Sequence, residues 1–327
     1  MRAHSSRRSG DGEIVVCDKD AEFYCSELGN AYAQLRFRPL VPPVAEEQDF
    51  GRCEALVSFG NSLPDRLFQR APRLRWVQML GAGTDRIMSL PGLPPSLWVS
   101  SASGIHGPML AEMVVYLMLA LARRGKTLFQ NQAQGVWKRE EGMLLCGKNV
   151  LVAGTGASGM HIRRLCEALG MCVVAASGAP RPVEHAEACI AMQEIDGHLA
   201  DVDFLVLATP YSDRTRGLIG PASFSAMKRS AYLVNVSRGG IVDEGALVEA
   251  LDRERIAGAA LDVFQQEPLP REHALWRHPR VLATPHVAGL VREYPMLVLP
   301  LLKHNVGCFA RGDASGLRNL VKLGEPC

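Results

Sequence analysis

A chain of 327 residues is long enough for two domains with cores of their own, and 47% apolar with 21% charged residues is a globular composition. A net charge of +2 gives no reason to expect nucleic acid or an acidic membrane surface as a partner. Nine cysteines, scattered singly without a Cys-x-x-Cys pair, point to reduced thiols in a cytoplasmic protein and to no metal site. Several of them, such as Cys172 in its apolar run, are expected in the core.

Residues 1–13 are polar, with Arg2, Arg7, Arg8 and several serines. The apolar stretch of about 7–15 residues that a secretory signal needs does not follow. A disordered leader is expected, with an organelle transit peptide as the alternative. Ile14–Cys17, Ala55–Phe59 and Leu74–Leu80 are β-rich runs; the second gives way to Gly60-Asn61-Ser62 and the third to Gly81-Ala82-Gly83. With helix-length stretches between them, they predict a small α/β domain.

Pro108–Arg124 predicts a long helix, with proline in the first turn and Arg123 and Arg124 at the negative end of the dipole. It is apolar nearly all round, which predicts burial on every side. Its most apolar part, Met113–Ala122, falls well short of the roughly 20 residues of a membrane span. Val150–Ala153 then runs into a glycine turn, and a helix continues through 160–169. Met171–Ala176, Phe204–Ala208, Tyr232–Val236, Ala257–Leu261 and Val281–Ala283 supply further strands. Apolar runs without alternation are what a parallel sheet covered on both faces requires, so this half is a doubly wound sheet. From Val291 the pattern is helical, but Pro295 and Pro300 are each expected to break or kink it.

Gly154-Thr155-Gly156-Ala157-Ser158-Gly159 follows a strand and opens a helix, which is the context of a dinucleotide site. Gly154 allows the tight turn, Gly156 the approach of the pyrophosphate, and Gly159 the packing of helix on strand. The amides around Ala157 and Ser158 then face the phosphates. The acid that takes the ribose hydroxyls of NAD about 20 residues on is missing. In its place stands Ser177-Gly178-Ala179-Pro180-Arg181, where Ser177 and Arg181 suit a 2′-phosphate. This favours NADP over NAD; an exposed Arg181 and tolerance of both cofactors is the alternative.

Downstream lie Arg238 in Val236-Ser237-Arg238-Gly239-Gly240, Glu267 before Pro268, and His286 in Thr284-Pro285-His286. A cation, a carboxylate and a histidine are what the reduction of a 2-oxo acid by a nicotinamide needs. Arginine offers a planar fork to the substrate carboxylate. Histidine gives and accepts a proton near neutral pH. A neighbouring Glu267 is expected to raise the pKa of His286 and fix its ring. The amides of Gly81-Ala82-Gly83 can complete the carboxylate site. Taken singly, each has a plainer reading: a surface cation, a loop acid, a polar strand end. His106 is expected to cap or position the long helix, and His304 to face solvent.

These segments resemble the D-isomer-specific 2-hydroxyacid dehydrogenase family. The likeness runs through Trp76 to Arg86, Gly107-Pro108-Met109-Leu110-Ala111-Glu112, Gly135-Val136-Trp137, Gly147 to Gly154, Val234 to Gly240, Ala260-Leu261-Asp262-Val263-Phe264 and Thr284-Pro285-His286. Spacings of 29 residues from Arg238 to Glu267 and 19 from Glu267 to His286 are also similar. The resemblance implies two Rossmann-like or flavodoxin-like α/β domains with an active-site cleft between them. A dinucleotide-binding domain, 103–290, would be inserted in a substrate-binding domain formed by 1–102 and 291–327. It further implies a homodimer through the cofactor domain. Arg238 would bind the substrate's carboxylate and carbonyl oxygen, His286 would be the acid/base and Glu267 its partner. Asp262 would meet the nicotinamide amide, and Thr209-Pro210 and Val236 would pass the cofactor. Glu267 argues against the formate dehydrogenase branch, which has glutamine there. The chain's ending argues against phosphoglycerate dehydrogenases with a regulatory domain. The prolines of 291–302 leave open which residues of the tail, Tyr294 included, line the substrate pocket.

The expected activity is hydride transfer between NADP or NAD and a small 2-oxo acid or D-2-hydroxy acid, glyoxylate or hydroxypyruvate first. The alternative is a dinucleotide-sensing, corepressor-like binding module without turnover.

Overall fold

The computed structural model describes residues 12–60 and 63–323. The leader expected over 1–13 lies outside them except for its last two residues, as do Asn61 and Ser62 of the second turn. The chain divides into two compact units, Met1–Ile105 with Val291–Cys327, and His106–Leu290.

The first unit opens with β1 (Glu13–Cys17), α1 (Ala21–Ala31), β2 (Phe37–Leu40), β3 (Cys53–Ser58), α2 (Leu67–Arg70), β4 (Trp76–Met79), α3 (Asp85–Ser89) and β5 (Trp98–Ser100). Glu13, assigned to the leader by composition, is already the first strand residue. Strands β2 and β5 escaped the sequence reading. Neighbours along β2, β1, β3, β4 and β5 run parallel. The unbroken burial of Leu56, Val57, Trp76 and Val77 shows why: both faces are covered.

The second unit contains α4 (Gly107–Ala122), α5 (Gly125–Ala133), β6 (Asn149–Ala153), α6 (Ala157–Ala168), β7 (Cys172–Ser177), β8 (Ala188–Ala191), β9 (Phe204–Leu207), α7 (Pro221–Ala226), β10 (Tyr232–Asn235), α8 (Glu244–Asp252), β11 (Gly258–Leu261), α9 (Ala274–Arg277) and β12 (Val281–Ala283). Among the described residues its sheet has seven strands in the order β12-β11-β10-β9-β6-β7-β8, with every pair parallel. Leu151, Leu205 and Leu233 face a core shared with Ile219 and Leu247 on one side. Val150, Val152, Val206 and Val234 face α4 and α6 on the other, against Val114, Leu117, Leu121, Ile162 and Cys166. The strand order reverses between β9 and β6. Ligands bind beyond the carboxyl ends of strands at such a point.

Two expectations for this unit need correction. The long helix is not buried all round, because Tyr116 and Leu119, three residues apart on one face, are exposed. Helix α5 adds exposed Leu128 and Phe129, and Trp137 beyond it is 93% exposed. Cys172, expected in the core, is exposed, whereas Cys17, Cys53, Cys166 and Cys308 are buried. Burial pushes the Cys53 and Cys166 thiols up to about 12, so these sulfurs stay protonated and unreactive.

The first unit closes with α10 (Tyr294–Arg311) and β13 (Leu320–Lys322), the latter antiparallel on β5, so that its sheet reads β13-β5-β4-β3-β1-β2. The two prolines do not break α10. Pro295 occupies the first turn, where an amide hydrogen has no helical acceptor. Pro300 is internal, but it and Met296, four residues before it, are both exposed, so the bond its ring cannot make falls on the side of α10 open to solvent. Asn305 fixes the helix to the sheet by donating to Gln78 Oε1 at 2.7 Å, an oxygen that also accepts from Ser100 Oγ at 2.8 Å. His304 does not face open solvent as expected; it is half-buried, with Nε2 2.9 Å from the Gly316 carbonyl oxygen. Among the described residues no helix is long and apolar enough to cross a membrane.

Candidate active site

Three glycines of the β6–α6 turn have three separate local reasons. Gly154 has φ +127°, and a Cβ there would lie 2.4 Å from the Ala208 carbonyl oxygen at the end of β9. A Cβ on Gly159 would lie 2.0 Å from the Gly154 carbonyl oxygen, so helix and turn can touch only through glycine. Gly156 has ordinary dihedrals, and no protein atom lies within 4 Å of where its Cβ would stand, so the protein leaves that space open. No side chain caps the N-terminus of α6, and the amides from Ala157 to Gly159 point out of a dipole's positive end. An open space in front of free amides fits a pyrophosphate.

Ser177 ends β7 beside this turn, its hydroxyl 3.2 Å from Thr155 Oγ1 and 3.3 Å from the Ala179 amide nitrogen. Arg181 is exposed in the loop that follows. Thr209 and Pro210 follow β9, with Thr209 buried. Val236 follows β10 and is also buried. All of them lie at the carboxyl ends of strands of one parallel sheet.

Arg238, Glu267 and His286 come together at the same end of this sheet, on loops after β10, β11 and β12. Gly239 explains how the first two loops meet: a Cβ there would fall 1.8 Å from the Phe264 carbonyl carbon. His286 Nδ1 is 2.7 Å from Glu267 Oε2, and Glu267 Oε1 accepts from the Phe264 amide at 2.9 Å. Burial alone would push the Glu267 carboxyl up. The His286 and Phe264 hydrogen bonds, with the charges of His286 and Arg238, outweigh it and hold the group below its ordinary value. Glu267 is therefore an anion across the neutral range. With Nδ1 engaged, Nε2 is the histidine nitrogen left for a substrate.

His286 has φ +53°, a left-handed backbone that is uncommon for a residue other than glycine. Asp262, fully buried after β11, holds it there. Its backbone oxygen accepts from the His286 amide at 2.8 Å. Its carboxylate accepts from Thr284 Oγ1 at 2.6 Å, from the Val287 amide at 2.9 Å and from the Ala288 amide at 2.9 Å. Sequence reasoning placed Asp262 at the nicotinamide but missed this positioning work; the signal available was an acid in an apolar strand, which has to be bonded if buried. His106 stands at the N-cap position of α4 without capping through its side chain, and its ring lies against Gly289, just past the histidine loop.

In the first unit, Gly81-Ala82-Gly83 follows β4. The Gly81 carbonyl oxygen accepts from the Ala102 amide at 2.9 Å, while Tyr294 Oη donates to the Leu80 carbonyl oxygen just before the loop. Tyr294 thus supports this loop from beneath, with its ring 5.6 Å from that of Phe59.

Residues 115–288 match the D-isomer specific 2-hydroxyacid dehydrogenase, NAD binding domain. The chain is 33% identical over 272 residues to a glyoxylate reductase of Aeropyrum pernix, covering 80% of this chain and 81% of that one. A D-isomer specific 2-hydroxyacid dehydrogenase family protein from Aeromonas salmonicida superposes with a TM-score of 0.85 at 27% identity, over 96% of this chain and 100% of that one. The NADPH-dependent glyoxylate/hydroxypyruvate reductase of Sinorhizobium meliloti, solved with NADP and sulfate, superposes with a TM-score of 0.80 at 27% identity, again over 96% and 100%. The chain belongs to the D-isomer specific 2-hydroxyacid dehydrogenase family and is a nicotinamide-dependent oxidoreductase of 2-oxo and 2-hydroxy acids.

Proposed function

We propose that the protein reduces glyoxylate or hydroxypyruvate with NADPH preferred over NADH, and that Arg238, Glu267 and His286 carry the reaction. The observation that carries this reading is the 2.7 Å pair of His286 Nδ1 and Glu267 Oε2 within the field of Arg238. A bound reduced nicotinamide supplies the hydride to C2. His286 gives a proton from Nε2 to the carbonyl oxygen as charge develops there, and Glu267 keeps the ring oriented. Arg238 takes the carboxylate and the carbonyl oxygen through its planar fork. The Gly81-Ala82-Gly83 amides, in the first unit, are the further donors this reading assigns to the substrate's carboxylate.

The turn Gly154, Gly156, Ala157, Ser158 and Gly159 holds the pyrophosphate, with Thr209, Pro210 and Val236 along the cofactor. Ser177 and Arg181 take the 2′-phosphate, where an acid would repel it. A carboxylate accepts about four hydrogen bonds, and Asp262 uses three on the loop after β12, leaving one for the nicotinamide amide. On this reading 103–290 is the cofactor domain, and 1–102 with 291–327 the substrate domain. The exposed Tyr116, Leu119, Leu128, Phe129 and Trp137 make the cofactor unit the homodimer surface, since monomers rarely leave such apolar area open. A cytoplasmic location suits the free thiols among the described residues.

The test is loss of absorbance at 340 nm with NADPH or NADH and a panel of glyoxylate, hydroxypyruvate, pyruvate and branched 2-oxo acids. Turnover of the two small acids with NADPH, abolished in His286→Ala, supports the reading. Tight cofactor binding without any turnover would favour the sensing module instead.

A further inference from the structure

One buried cation beside the glycine turn has no part in the chemistry above. Arg163 stands one turn beyond Gly159 on α6 and is 1% exposed. A guanidinium in an apolar interior needs every donor it can place. Arg163 places its donors on two carbonyls and forms no ion pair with a described carboxylate. Nη1 donates to Gly154 O at 3.2 Å and Nε to Glu184 O at 3.0 Å.

The two carbonyls belong to two parts of the cofactor site. Gly154 opens the pyrophosphate turn, and its amide donates to Ala176 O of β7 at 2.9 Å, so Arg163 holds the opposite side of the same residue. Glu184 lies in the loop after Ser177, three residues past Arg181. A second tie binds that loop to α6, where His185 Nδ1 is 2.5 Å from Glu167 Oε2. Only a planar fork with donors in two directions can bridge Gly154 and Glu184 at once; a lysine ammonium is a compact point charge. The packing is close enough that a Cβ on Gly159 would come within 3.3 Å of Arg163 Nη1. The cation also lies behind the uncapped N-terminus of α6 with no carboxylate paired to it, so its field adds to the dipole that meets an anion there.

We propose that Arg163 is a positioning residue that ties the pyrophosphate turn to the ribose-side loop, setting both dinucleotide affinity and preference for a 2′-phosphate without touching the cofactor. The proposal rests on the dinucleotide reading of the glycine turn. The experiment measures Kd for NADPH and NADH by nicotinamide fluorescence on the full chain, for wild type, Arg163→Met and Arg163→Lys, with thermal melts and amide exchange over 178–187.

Losing a charge-assisted bond pair is expected to weaken NADPH binding by about tenfold or more in Arg163→Met, with NADH weakened less, so that the ratio of the two falls. Arg163→Lys keeps the charge but not the bridge. It should regain affinity for both cofactors without regaining the ratio, and loop exchange should speed up in both variants. If Arg163→Met does not fold, Glu167→Gln loosens the second tie alone and should lower the ratio in the same direction. A wild-type ratio and wild-type loop exchange in folded variants would overturn the proposal. So would equal losses for both cofactors that track the melting temperature, which would make Arg163 a packing residue only. Wild type preferring NADH would sink the Ser177 and Arg181 reading, and Arg163 is then judged on NADH affinity and loop exchange. Wild type binding neither cofactor would end both.

Discussion

Glu267 divides its carboxylate between two partners, giving Oε2 to His286 Nδ1 at 2.7 Å and Oε1 to the Phe264 amide at 2.9 Å. The ring is therefore held to a backbone group by way of one acid. Glu267→Gln keeps a hydrogen-bonding side chain of the same size and removes the charge. It should lower kcat for 2-oxo acid reduction by about tenfold or more while leaving NADPH affinity unchanged, and His286→Ala should cost about 10²–10⁴-fold. Steady-state rates with fluorescence-measured cofactor Kd decide it; a loss of cofactor binding in Glu267→Gln would count against the assigned role.

The same carboxylate makes a pH prediction. Its pKa is lowered in the folded chain, so its contribution to stability is present above the unfolded value of about 4.3 and is lost as pH falls through the folded value. Urea unfolding of wild type and Glu267→Gln should differ at pH 7 and converge near pH 3. The side chain is 36% exposed, so solvent screens the pair and the gap is small, within about 1 kcal/mol. A gap that widened on acidification would contradict the direction.

Gly156 and Gly159 should respond in opposite ways to the same methyl group. At Gly159 alanine meets the Gly154 carbonyl oxygen at 2.0 Å, an overpacking that should cost about 1–3 kcal/mol of stability. At Gly156 alanine meets nothing in the protein, so the melting temperature should stay near wild type while dinucleotide affinity falls. Thermal melts paired with cofactor titrations separate the two; unchanged affinity in Gly156→Ala would remove the pyrophosphate from that space.

Asp262→Ala takes three hydrogen bonds from the loop after β12 by removing a fully buried carboxylate and should destabilise the protein by about 3 kcal/mol or more. The diagnostic readout is amide exchange over 284–288, which should rise more than exchange in β11 or β12. Uniform acceleration across the sheet would show that the acid supports the fold in general rather than the left-handed turn at His286.

Phe129→Asp and Trp137→Ala place charge on, or remove area from, the exposed apolar surface of α5 and the segment beyond it. Sedimentation should show a dimer for wild type and a shift toward monomer for the variants. A monomeric wild-type protein would leave this surface without its proposed occupant.

The glycine turn and the loop residues Arg238, Glu267 and His286 could be singled out in the sequence because each lies in a segment set by local chemistry. A strand running into Gly154 and a helix leaving Gly159 can be read without knowing what packs above them. Arg238, Glu267 and His286 sit in short segments whose glycines and prolines limit the backbone. What escaped was decided by tertiary contact. Strand β2 contains Arg38 and Pro39 and pairs on one side only, so it lacks the apolar run by which the central strands announce themselves. Pro300 was read as a helix breaker because nothing in the sequence says which side of α10 meets water. The polar acceptors that let Arg163 be buried lie 9 residues before it and 21 after it, so nothing local in the sequence marked it.

The contact between Gly239 and the Phe264 backbone has a consequence for redesign. The loop bearing the guanidinium and the loop bearing the carboxylate are mechanically one piece, because neither can shift without the other giving way. Attempts to change the accepted acid by reshaping 238–240 will therefore disturb Glu267, and through it the imidazole. A library meant to change the accepted acid therefore has to leave both loops alone, so that the proposed proton donor stays in register.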